Sequence, residues 1–466
     1  MKLLFTGVAI IAAFLLPVSL LAQTAKTDSG ADERFKADIL VVVAHPDDEG
    51  AVTPYLARAI YDLHKRVAVV YGTHGGSGAN NYGREHAAGL ADIREMEARE
   101  SYARLGIKNV WFLDGKDTAS QNVLNSLANW GHGANLEKLV ELVRLTRPDV
   151  IITSLPGVFI GENHGDHQAA GVLATEAFDL AGNPVVFPSQ LAGASAHREI
   201  YLENLQTWQV KKIYYFPDAS DEKQFSGMGP GYSIKEVSPS QKKPYWRIAL
   251  DAATTHLTQY PADIERIQKM SDAEAEKMMS DPDAAWWTEP ETLIFGKAYY
   301  SSKATDDVFA NLEGEPHRCQ ELSTKVQRPS AGTTVKLGGP WGYYQSFREA
   351  HCLSSLRVAD PPEIAVMAGA QVYVPLTIAH ASNKPLKLQL KVEAPKSWKV
   401  TSGEGEIALP AEASSEVRVE VETPKLTASE LKANGPQEIV IHAIADGASA
   451  GDIKLRVQLR SHGLPQ

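Results

Sequence analysis

Cysteine is almost missing from this sequence: Cys319 and Cys352 are the only two in 466 residues. Two cysteines this far apart cannot build a four-cysteine zinc site or hold an iron–sulfur cluster. In an oxidising compartment they can close one loop, a disulfide worth roughly 3–4 kcal/mol. Basic excess is missing as well. Lys and Arg number 46 against 57 Asp and Glu, a net charge of -11. That excludes the positive footprint of a nucleic-acid binder and attraction to an anionic membrane surface. Internal repeats, low-complexity tracts and long runs of one charge do not occur. After the first 22 residues no apolar stretch is long enough to span a bilayer.

The one long apolar run is Leu3 to Leu21, preceded by Lys2 and broken only by Thr6, Gly7, Pro17 and Ser19. It ends at small Ala22, which predicts a signal peptide covering 1–22 and an exported product, periplasmic or secreted. An uncleaved N-terminal anchor is the alternative. A polar stretch, 23–35, is expected to be disordered. The whole sequence has 44% hydrophobic and 22% charged residues, which is a globular composition. The length calls for more than one domain.

The organising stretch is Ala44-His45-Pro46-Asp47-Asp48-Glu49. It follows Ile39–Val43, an apolar β-branched run of the kind found in a central parallel strand. Pro46 has no N–H for a ladder and disfavours helix before it, so the chain turns there. Further strands are predicted at Val67–Tyr71, Val110–Leu113, Val150–Ser154 and Val210–Phe216. Helices are predicted near Thr53–His64, Leu90–Leu105, Leu136–Leu145, Gln168–Asp179 and Asp263–Met279. Strands alternating with helices mean a Rossmann-like, mostly parallel α/β sheet with helices on both faces. From Pro361 the texture changes to seven short strand-like runs, which predict an immunoglobulin or fibronectin-III-like β-sandwich over 361–466. The expected division is a catalytic α/β domain at 36–340, a linker at 341–360 and the sandwich, read as a packing module rather than a carbohydrate binder.

A second polar cluster, His164-Gly165-Asp166-His167, follows the fourth strand. In the strand order 3-2-1-4 the first and fourth strands are neighbours, so both clusters face one crevice at the strands' carboxyl ends. His45, one of the paired aspartates and one histidine of the second cluster make two imidazoles and a carboxylate. Three protein ligands plus an open position is the catalytic zinc arrangement. The spare aspartate can accept a proton from water and the spare histidine can polarise a carbonyl, which is metal-assisted hydrolysis of an amide or ester. The bland alternative is two salt-bridged loops facing each other. Fe2+ is a second occupant for such a ligand set.

The two clusters, with Arg94-Glu95-Met96-Glu97, Leu105-Gly106, Leu113-Asp114 and Arg147-Pro148-Asp149-Val150, resemble the landmarks of the PIG-L/LmbE family of zinc-dependent N-deacetylases. The resemblance covers about 36–180 and says nothing about 361–466. It implies that His45, Asp48 and His167 bind Zn2+, that Asp47 is the general base, and that His164 stabilises the tetrahedral intermediate or acts as acid. Asp166 would orient His164. Arg94 and Asp117 would contact the sugar, although Arg94 can instead bridge Glu97 on its own helix. The implied reaction removes acetate from an N-acetylglucosamine-type amino sugar or glycoconjugate. A non-sugar amide substrate, or a glycan-binding protein with an inert site, are the alternatives. The sequence departs from the family at Gly75-Gly76-Ser77-Gly78, which lacks an acid, at Glu162-Asn163, and at Gly165, which stands for a usual proline. An acidic Glu162 facing the site would disfavour an anionic substrate such as a phosphoinositide. Composition is silent on oligomeric state.

Overall fold

The computed structural model describes residues 31–157, 164–191, 205–216, 225–278, 291–316, 332–356, 360–433 and 435–460. Residues 1–30, Glu162, Asn163, Trp286, Trp287 and Cys319 lie outside them. Cys352 is disulfide-bonded.

In the N-terminal half, β1 (Ile39–Val43), α1 (Thr53–Tyr61), β2 (Val67–Thr73), α2 (Ala88–Arg104), β3 (Asn109–Gly115), α3 (Val123–Trp130), α4 (His132–Thr146), β4 (Val150–Ser154), α5 (Gly165–Leu180) and β5 (Lys212–Phe216) follow in order. A ribbon of β6 (Gly231–Tyr232) and β7 (Glu291–Thr292) encloses α6 (Tyr245–Ala253), α7 (Pro261–Lys269) and α8 (Asp272–Met278), and β8 (Ile294–Ala298) ends this half. The main sheet runs β3-β2-β1-β4-β5-β8, parallel throughout except for β8. The predicted neighbours, first and fourth strands, are therefore paired.

Every residue of β1 is buried because both faces of the sheet are covered. Leu40 and Val42 join the cluster lined by Leu139, Ile151, Val172 and Ile213. Ile39, Val41 and Val43 join Leu56, Val69, Tyr102 and Ile152 on the other face. Each such side chain contributes about 1.5–3 kcal/mol. That packing fixes where β1 ends, and so where His45 emerges.

The helix expected over 263–279 is two helices. α7 ends at Met270, whose ψ of 132° is extended. Helix α3 is an addition to the expected set. Asn122 starts it by accepting the Leu124 amide hydrogen, and Gly131, at φ 65°, ends it.

The C-terminal half starts ahead of the boundary expected at 361. β9 (Thr333–Leu337) is followed by α9 (Gly339–Ala350), in place of the expected linker, then β10 (Glu363–Met367), β11 (Gln371–His380), β12 (Leu386–Glu393), β13 (Lys399–Ser402), β14 (Gly405–Leu409), β15 (Ser414–Glu422), α10 (Ala428–Ala433), β16 (Gln437–Ala445) and β17 (Ala448–Arg460). Two sheets result, β10-β17-β16-β12-β14 and β13-β15-β11-β9. β9 belongs to the sandwich because its backbone pairs along β11 from Leu337 with Leu376 to Thr333 with His380. Alternating residues such as Leu388, Leu390, Val419 and Val421 fill the space between the sheets. α9 joins the halves: its Tyr344 and Phe347 sit in the core of the α/β domain, and Trp341 packs on the sandwich core.

Candidate metal centre

The turn after β1 carries His45, Asp47 and Asp48, and α5 begins at the second cluster, so the register of β1 and β4 brings them together. His45 Nδ1 lies 3.2 Å from His167 Nε2. His167 Nε2 lies 3.1 Å from Asp48 Oδ1. Asp48 Oδ2 lies 3.6 Å from His45 Nδ1. Around an ion with bonds of about 2.0–2.1 Å, tetrahedral ligands are roughly 3.3 Å apart. The His45–His167 and His167–Asp48 edges match that spacing, and the Asp48–His45 edge is closed by the second oxygen. Among the described residues, His45, His164 and His167, and His45, Asp117 and Asp166, also offer donor atoms within 4.8 Å of one another. Asp48 Oδ2 also accepts the Ala44 and His45 amide hydrogens at 3.0 and 2.8 Å. Oδ1 is left facing His167 Nε2.

The far nitrogen of His45, Nε2, lies 3.3 Å from Asp166 Oδ2, which also accepts the Thr118 amide hydrogen at 2.8 Å. A carboxylate behind the ligating imidazole fixes its tautomer and orientation. Asp166 therefore supports His45 with its side chain. Its link to His164 runs through its backbone: its N–H donates to His164 Nδ1 at 3.2 Å. The orienting role implied for Asp166 thus falls on a different ring, because α5 starts at Gly165 and turns the carboxylate inward.

Burial alone would lower the His45 imidazole, but the charge of Asp48 and the bond to Asp166 outweigh it and raise it to about 10. His164 is pushed down to about 4, by burial first and then by His45 and His167. A neutral His164 whose Nδ1 accepts a hydrogen carries its own proton on Nε2. It is a hydrogen-bond donor at neutral pH.

Asp47 has φ 120°, strained for a side chain other than glycine. Its amide donates to Glu49 Oε2 at 2.9 Å, the preceding Pro46 carbonyl accepts from Gln259 Nε2 at 2.5 Å, and its carboxylate accepts from the Tyr260 hydroxyl at 2.7 Å. Burial, then the charge of Asp48, raises its carboxyl to about 6. A carboxylate with that value is suited to general-base work near neutrality.

Beneath the turn, Glu49 is 2% exposed. It accepts from the Tyr71 hydroxyl at 2.8 Å and pairs with His256 Nε2 at 2.9 Å. Burial pulls His256 down, but Glu49 outweighs this and holds it above its ordinary value. Sequence reasoning assigns no role to Glu49, Tyr71, His256, Gln259 or Tyr260. Nothing local in the stretch 256–260 shows that it returns under a turn 207 residues earlier.

Arg94 is buried, and its guanidinium donates to the carbonyls of Gly75 and Ala79 at 2.8 and 3.0 Å. It braces the glycine-rich loop. Glu97 does not pair with it and accepts instead from Thr258 N–H and Oγ1, at 2.8 and 2.6 Å. Asp117 Oδ2 accepts from the Ser77 amide at 2.8 Å. Its Oδ1 is buried without a hydrogen-bond partner, 4.0 Å from His45 Nε2. Of the two residues expected at the substrate, Asp117 lines the centre and Arg94 shapes the loop beside it.

Residues 40–178 match the family model described as PIG-L, GlcNAc-PI de-N-acetylase. No curated protein matches the chain. Among solved structures, N,N'-diacetylchitobiose deacetylase from Pyrococcus horikoshii is 20% identical with a TM-score of 0.38, covering 56% of this chain and 84% of its own. A conserved protein from Thermus thermophilus is 19% identical with a TM-score of 0.37, covering 57% and 97%. The 4-carboxy-2-hydroxymuconate hydratase from Pseudomonas putida is 18% identical with a TM-score of 0.37, covering 57% and 99%. The α/β part of this chain, through residues 40–178 that carry all three candidate ligands, contains a domain of the PIG-L family.

Proposed function

We propose that the protein is an exported, zinc-dependent N-deacetylase acting on an N-acetylglucosamine-type amino sugar or glycoconjugate. The observation that carries this reading is the meeting of His45 Nδ1, His167 Nε2 and the Asp48 carboxylate beside a carboxylate raised to about 6. The family model supports the deacetylase class, and the leader-like stretch 1–22 supports export.

A zinc ion held by these three residues would polarise an amide carbonyl and acidify water. The remaining work belongs to the chain. Asp47 accepts the proton of the attacking water at Oδ1 or Oδ2 and later returns it to the departing amine. Tyr260 holds that carboxylate in place. His164 donates from Nε2 to the carbonyl oxygen as negative charge builds there, a contribution worth about 3–4 kcal/mol when one such donor is removed. Asp117 offers an acceptor to a hydroxyl of the substrate.

Acetate release from neutral chitobiose-type substrates, measured with the wild type and Asp47→Asn, tests the reading. Asp47→Asn should retain the metal and lose about 10²–10⁴-fold in kcat. Wild-type turnover in that variant would remove Asp47 from the mechanism, and no acetate from any N-acetyl sugar would remove the substrate class.

A further inference from the structure

The segment 116–122, between β3 and α3, touches both halves of the molecule. On one side it backs the candidate metal centre. Thr118 N–H donates to Asp166 Oδ2 at 2.8 Å, and the Ser120 carbonyl accepts the Gly165 amide hydrogen at 2.5 Å. The approach is close: a Cβ on Gly165 would meet Ser120 O and Ser126 Oγ at 2.7 Å and Asn122 O at 3.0 Å. This accounts for the departure from proline at that position. Proline has no N–H for Ser120, and its ring would enter occupied space.

On the other side, the side chain of Gln121 bonds both backbone groups of Ala365. Its Nε2 donates to the Ala365 carbonyl and its Oε1 accepts the Ala365 N–H at 3.3 Å. Ala365 is the middle residue of β10, the edge strand of the five-stranded sheet, whose other side pairs with β17. Gln121 thus satisfies an open strand edge as a neighbouring strand would. Tyr344 of α9 fills the space over Gly157, where any Cβ would run into its ring.

We propose that the C-terminal sandwich braces the metal centre, with Gln121 as the positioning residue. β10 holds segment 116–122 against the Gly165–Asp166 turn, which fixes Asp166 and, through it, the ring of His45. This rests on the reading of His45, Asp48 and His167 as ligands. Losing a partner that directly supports a ligand costs 10–100-fold in metal affinity, so a residue one contact further out should cost about 3–10-fold.

The test uses the full chain as wild type, Gln121→Met, which keeps the volume and removes both polar groups, and Gln121→Ala. Co2+ affinity is measured by chelator competition, the bound ion by its visible spectrum, and folding by thermal unfolding of each protein. The brace predicts an affinity lower by about 3–10-fold and an altered cobalt spectrum in both variants, with melting temperatures within about 2 °C of wild type. Wild-type affinity and spectrum in both variants would overturn the brace alone. So would an affinity loss explained by a matching loss of folded protein. No Co2+ binding by the wild type would overturn the ligand reading and the brace together.

Discussion

The turn after β1 supplies His45 and Asp48, and the start of α5 supplies His167, yet the two are held by different means. The first is locked from within its own domain. Glu49 is anchored by Tyr71 and His256, and Gln259 and Tyr260 grip Pro46 and Asp47. The second is held by segment 116–122, whose outer face is bonded to the sandwich. A buried carboxylate–imidazole pair is costly to break because it leaves buried polar groups unsatisfied, whereas a brace of several separate hydrogen bonds gives way by degrees. Disturbing the first support should therefore collapse the centre, and disturbing the second should only detune it.

The largest effect is expected from Glu49→Ala, which strands His256 in a 3% exposed site. Leaving that buried imidazole and the Tyr71 hydroxyl without their acceptor should cost about 1–3 kcal/mol each in unfolding free energy, read from a denaturant titration. A loss below about 1 kcal/mol would erase the contrast between the two supports. Next comes Asp166→Ala, which should weaken zinc binding by about 10–100-fold while leaving the fold intact. An unchanged affinity would mean that His45 needs no carboxylate behind it.

Titration sharpens the comparison further. His45 is raised to about 10, and a cation at its Nδ1 must displace that proton. The protonated form competes with the metal below the pKa, so apparent zinc affinity should rise with pH, by up to about tenfold per unit between pH 7 and 9. Calorimetry in buffers of different ionisation enthalpy should then show about one proton released; none would contradict the pairing of His45 with Asp48 and Asp166. The smallest effect is expected from Tyr260→Phe. The hydroxyl holds the Asp47 carboxyl down against burial and Asp48. Its removal should move the acid limb of the kcat/KM profile to higher pH, by about one unit or less. A shift to lower pH would contradict the bond.

The difference between the supports also explains what the sequence reveals. β1, β4 and the two polar clusters are legible because each is local: an apolar run, a proline stop, and two histidines and an acid within four residues. The order 3-2-1-4 is the common one for such sheets, and β3-β2-β1-β4 is the order found. The Glu49–His256 pair is not legible, because 207 positions separate its members. The family resemblance assigns Asp166 to His164, while the turn into α5 sends its carboxylate to His45. Thr333–Leu337 falls inside the stretch assigned from sequence to the α/β domain, and its pairing with β11 makes it part of the sandwich. Gly165 looks like a missing proline until the Ser120 carbonyl is seen against it.

Equilibrium zinc binding to the wild type and to Asp48→Ala, at neutral pH with chelator competition, tests the central claim most directly. The account predicts about one ion per wild-type chain and an affinity more than about 100-fold weaker in Asp48→Ala, beyond what loss of a merely supporting partner costs. A wild-type chain that holds no zinc, or an Asp48→Ala chain that holds it as tightly, would contradict it.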